Sequence, residues 1–151
     1  MKKTLPLPFR LKLVRHPGQT VLNIELETKD ILDWCLALCL LKENLIDALL
    51  VQGENTRAKL EIQVSGVTKG RVRSRASFDS ETTRLDITMT DLDYLLHFFL
   101  KYYRDGVAEV DHLDLELAPE KAGQDACITF KVPESVQPVS PEEAKRRLGL
   151  H

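Results

Sequence analysis

The sequence predicts an α+β fold: two layers, with a mainly antiparallel sheet covered on one face by two main helices. Three observations carry this reading. Short segments that alternate apolar and polar residues recur along the chain, and two apolar stretches of helical length separate them. The segments also fall in the order ββαβ-ββαββ, which suits hairpins better than a parallel, doubly wound sheet. A chain of 151 residues, 43% hydrophobic and 29% charged, is long enough to bury a substantial core as one domain.

Each element has a local reason. Phe9, Leu11 and Leu13 alternate with Arg10 and Lys12, the period of a half-buried strand. His16-Pro17-Gly18-Gln19 supplies a turn, and Thr20 to Glu27 reads as the returning strand. Thr28 or Asp30 suits the N-cap of a helix beginning near Ile31. An unbroken helix from there to Val51 would run about 32 Å, against roughly 27 Å for an eight-residue strand. A bend or break is therefore expected near Lys42-Glu43-Asn44, with Gly53 as a stop signal just past the run. Ala58, Leu60, Ile62 and Val64 then alternate with Lys59, Glu61 and Gln63. Gly66 and Gly70 bracket a connection to a strand over Arg71–Phe78, and Asp79-Ser80-Glu81 turns the chain into Thr83–Met89. Thr90 is the expected cap of a second helix reaching about Arg104, stopped by Asp105-Gly106. Leu113, Leu115 and Leu117, then Ile128, Phe130 and Val132, are the inward sets of two further strands.

That order contains a repetition. Leu22-Asn23-Ile24-Glu25-Leu26 matches Leu85-Asp86-Ile87-Thr88-Met89 in residue type at every position but the fourth. Each is followed by an acidic helix start and then by Leu32-Asp33-Trp34 or Leu92-Asp93-Tyr94. Residues 1–132 read as one α+β domain in which 9–66 and 70–132 are two copies of a ββαβ unit, with an extra closing strand. Residues 133–151 form a proline-rich tail, where Ser140-Pro141-Glu142-Glu143 opens a short terminal helix.

Function is less legible. A formal charge of −2 excludes a generally basic nucleic-acid binder, though not a local patch. The amino terminus lacks the uninterrupted apolar core of a secretory signal, and Asp33, Lys42, Glu43 and Asp47 make the most apolar stretch a poor membrane span. Three cysteines without framework spacing suit a reducing cytoplasm. The common nucleotide, zinc and hydrolase motifs are absent, and nothing implies a cofactor. Cys35 and Cys39 share a helical face within Trp34–Leu41, eight consecutive apolar residues, and so read as core rather than as metal ligands. His112, Asp114 and Glu116 share one strand face, but at roughly 7 Å spacing they do not converge on one ion.

Two features remain. Lys69, Arg71, Arg73 and Arg75 alternate as a candidate anion-binding ladder. Residues 105–125, with seven acidic side chains against one basic, are positioned by composition to neutralise it. The second feature is surplus apolar surface. The first helix is apolar all round between Trp34 and Leu41, and the second holds five of the nine aromatics. Trp34, Leu38, Leu41 and Leu45 share one side and form the candidate interface. The expected function is a non-enzymatic protein-interaction module that self-associates as a homodimer or binds another protein. Phosphate or nucleic-acid binding through 69–75 is the alternative. A small-molecule-binding protein or enzyme with groups converging from distant positions is third.

Overall fold

The computed structural model describes residues 2–6, 10–52, 57–65, 73–79, 81–106, 110–119, 123–133 and 141–150. Its strands are β1 (Lys2–Pro6), β2 (Arg10–His16), β3 (Gln19–Glu25), β4 (Ala48–Gln52), β5 (Lys59–Val64), β6 (Arg75–Phe78), β7 (Thr82–Ile87), β8 (His112–Leu117) and β9 (Asp125–Lys131). The helices are α1 (Ile31–Lys42), α2 (Met89–Asp105) and α3 (Pro141–Arg147). The fold is α+β, as expected.

The strands divide between two sheets. One has five strands in the order β1-β4-β5-β7-β6, the other four in the order β2-β3-β9-β8. The hairpins β2–β3, β4–β5, β6–β7 and β8–β9 are antiparallel, while β3 with β9 and β5 with β7 are parallel. Each sheet therefore joins a hairpin that precedes one helix to the hairpin that follows the other helix. Read from the edge, β2-β3-β9-β8 and β6-β7-β5-β4 obey the same scheme.

Two strands, β1 and β4, were not expected, and β4 has a clear physical origin. The first helix ends where its polarity rises: Asn44 adopts φ +58 and closes a Schellman motif. Leu45 N–H donates to Leu40 O at 2.9 Å and Asn44 N–H to Leu41 O at 3.2 Å. Freed from the helix, Ala48–Val51 runs between β1 and β5, so its apolar residues need not alternate. The cap of α2 is Thr88 rather than Thr90: its side chain accepts from Asp91 N–H at 3.1 Å. Gly106, at φ +70, ends that helix as expected, and Pro17-Gly18 makes the first hairpin turn with Gly18 at φ +79.

The inward faces of both sheets and the inner sides of α1 and α2 form one core. Its centre is an aromatic triangle of Trp34, Phe99 and Phe130, each fully buried. Trp34 lies 5.9 Å from each of the other two rings, and Phe99 lies 6.0 Å from Phe130. The two sheets are tied at one corner. Ala118 N–H, just beyond β8, donates to Ser74 O, just before β6, at 2.8 Å. The buried Ser74 hydroxyl donates to Asp91 at 2.5 Å and accepts from Thr88 N–H at 3.0 Å, fastening the start of α2 to the same corner.

Candidate functional site

The helix pair builds the most distinctive surface. Thr28 Oγ1 lies 3.4 Å from the Tyr102 hydroxyl, the Trp34 ring meets Phe99 at a tilt of 57°, and Lys42 Nζ lies 2.6 Å from Asp93. Partner numbers fall along α2 as they rise along α1, so the helices are antiparallel and in fixed register. The Asp93 hydrogen bond and its charge raise the pKa of Lys42. Amphipathic burial explains the orientation of α2: Leu92, Leu95, Leu96, Phe99 and Tyr102 face the core. Helix α1 has no polar side to turn outward, so burying Ile31, Trp34, Cys35, Ala37, Leu38 and Leu41 leaves other leucines in water.

Those residues line the outward face of the pair. Leu32 is 40% exposed, Leu36 56% and Leu100 43%. The register set by the three contacts places Leu100 level with Leu32 and within one helical turn of Leu36. Leu32, Leu36 and Leu100 thus lie near one another, while Met89, Tyr94 and Tyr103 are exposed elsewhere on α2.

The interface expected from sequence is corrected here. Trp34, Leu38 and Leu41 are buried in the chain's own core, because that side of α1 faces the sheets and α2. Of the four, only Leu45 is open, at 66%, where the helix terminus turns it outward. Ile31, Cys35 and Ile46 are buried as well. The signal for Leu32, Leu36 and Leu100 was present as excess hydrophobicity, but periodicity did not say which side would remain outside.

The basic ladder is only partly described: Lys69 and Arg71 lie outside the described residues. Arg73 Nη2 sits 3.9 Å from Glu116, and Arg75 is the cross-strand partner of Asp86, which also accepts a hydrogen bond from Gln63. Acidic neighbours therefore face both described arginines, one of them from the segment expected to neutralise the ladder. A polar cleft of about 350 Å³ lies beside them, lined in part by Gln19, Arg73, Asp114, Glu116, Asp125 and Cys127. Asp114 and Glu116 project from β8 along the outer face of the four-stranded sheet.

His112 is held at the start of β8. Its Nδ1 lies 2.8 Å from Asp111 and its Nε2 3.8 Å from Asp114. The hydrogen bond to Asp111 and then the charge of Asp114 raise its pKa, and the same hydrogen bond lowers that of Asp111. Burial, reinforced by Cys39, pushes the Cys35 thiol up to about 11, which suits a packed side chain rather than a nucleophile. Among the described residues, no group of three His, Cys, Asp or Glu side chains is placed to hold a metal ion. Among them, too, no helix is long and apolar enough to cross a membrane.

No protein-family model matches this chain, and no curated protein matches it.

Proposed function

We propose that this protein is a cytoplasmic, non-enzymatic interaction module that self-associates through the outward face of the α1–α2 pair. The observation that carries the reading is the row of outward leucines, Leu32, Leu36 and Leu100. Exposed large apolar residues that cluster on one rigid face mark contact surfaces. The face is also built on helices whose inner sides are locked by the aromatic triangle, so binding costs little further ordering. Polyanion binding through Arg73 and Arg75 is less favoured, because acidic side chains stand beside both.

The two ββαββ runs are further read as copies of one unit, supported by the shared strand scheme of the two sheets. On that reading the antiparallel helix pair is the meeting point of the two copies, and the outward face belongs equally to both.

The test compares an outward with an inward leucine. Leu36→Asp should leave the far-ultraviolet circular dichroism and melting temperature near wild type while converting the dimer to monomer on a sizing column. Leu38→Asp should unfold the chain. A wild type that is monomeric throughout the micromolar range, or a Leu36→Asp variant that dimerises as well as wild type, would sink the reading.

A further inference from the structure

The charges at the edges of the outward face say how a second copy would sit. Thr28 is level with Tyr102, Trp34 with Phe99, and Lys42 with Asp93. Interpolated between the first two contacts, Asp33 on α1 is level with Phe99 and Leu100 on α2, within two residues of Lys101. Helical spacing then fixes their sides. Lys42 shares its flank of α1 with Cys35 and Cys39, and this flank faces α2; Asp33 lies on the far flank with Ala37 and Leu40. On α2, Asp93, Leu96 and Leu100 share the flank toward α1, whereas Lys101 lies on the far flank with Tyr94 and Asp105. Both Asp33 and Lys101 are exposed.

We propose, building on the self-association reading, that two copies stack helix pair on helix pair about a two-fold axis running along the helices. In that arrangement α1 of one copy covers α2 of the other. A two-fold along the helices preserves level and exchanges flanks, so Asp33 comes over the partner's Lys101 at one rim. The symmetry repeats the contact at the other rim. Leu32, Leu36 and Leu100 meet their counterparts in the centre, giving an apolar middle between two ion pairs. The charge pair thus selects the crossed arrangement, α1 on α2, over one that stacks each helix on its own copy.

The symmetry gives a sharp test with the full-length chain. Asp33→Lys places two lysines opposite each other at both rims, and Lys101→Asp places two aspartates there. Each variant alone should self-associate roughly tenfold more weakly than wild type in sedimentation equilibrium, since two reversed rim pairs act together. An equimolar mixture of the two variants should form a heterodimer at wild-type strength, because both rims then carry one lysine and one aspartate. Raising the salt concentration should reduce the difference between the mixture and the separate variants. If wild type dimerises but the single variants do so equally well, or the mixture is no tighter than its components, the crossed arrangement is wrong while the helix-face reading stands. If wild type does not dimerise, the helix-face reading itself fails.

Discussion

The inner and outer sides of α1 both carry leucines, but the fold closes off only one of them. Inside, Trp34, Leu38, Leu41 and Phe99 interlock with Phe130 and the inward faces of two sheets. Outside, Leu32, Leu36 and Leu100 carry the same chemistry to the surface. Hydrophobicity alone therefore does not say which leucines of this chain are buried. The distinction comes from shape: the inner residues have neighbours on every side, and the outer ones have them on one.

The largest effects are expected on the inner side. Trp34→Ala should cost about 3–5 kcal/mol of unfolding free energy, because it empties the centre of the aromatic triangle. Urea denaturation measures this directly, and a loss below about 1 kcal/mol would mean the site collapses freely and is less well packed than the ring contacts indicate.

Ser74→Ala probes the corner where both sheets meet α2. It removes a buried donor to Asp91 and an acceptor for Thr88 N–H, and should destabilise by about 1–3 kcal/mol. A neutral result would show that Asp91 and Thr88 find other partners at no cost.

Interlocking of the sheets can be tested without any substitution. Each sheet combines strands from both halves of the chain, so neither half should unfold alone. Native-state hydrogen exchange should give similar opening free energies at the buried amides of Ile24, Leu60, Leu85 and Ile128. Two separate exchange plateaus, one for residues before 66 and one after 70, would contradict this.

The smallest effect is the pH response of His112. Its pKa is raised by Asp111 and Asp114, so its contribution is fully present below the unfolded value of about 6.5. That contribution is lost as pH rises through the higher folded value. Wild type should therefore lose a little melting temperature over this window relative to His112→Gln, which should be flat there. Identical slopes for the two proteins would remove His112 as a contributor.

Much of the fold was legible because its elements follow local rules. Alternating leucines specified β8, Pro17-Gly18 the first turn, and Asp105-Gly106 the end of α2. The break at Lys42-Glu43-Asn44 was legible from polarity, but the strand β4 beyond it was not. A short apolar run such as Ala48–Val51 has no period to separate helix from strand, and only its place between β1 and β5 decides. The division into two sheets was hidden for a related reason: the parallel pairs β3–β9 and β5–β7 join residues far apart in sequence, and no local signal records them. The surplus of apolar residues in α1 was legible, but the side of the helix left exposed was not. Excess hydrophobicity in α1 meant more apolar residues than one buried side needs, yet Leu36 and Leu38 differ only in which way the helix is rotated, and tertiary packing sets that rotation.

The central claim is that the outward leucines form a face for a second copy. Sedimentation velocity of wild type across the micromolar range tests it most directly, read beside Leu36→Asp under the same conditions. The wild-type sedimentation coefficient should rise with concentration toward that of a dimer, and the Leu36→Asp coefficient should stay at the monomer value while its circular dichroism remains native. A wild type that sediments as a monomer at every concentration would contradict it.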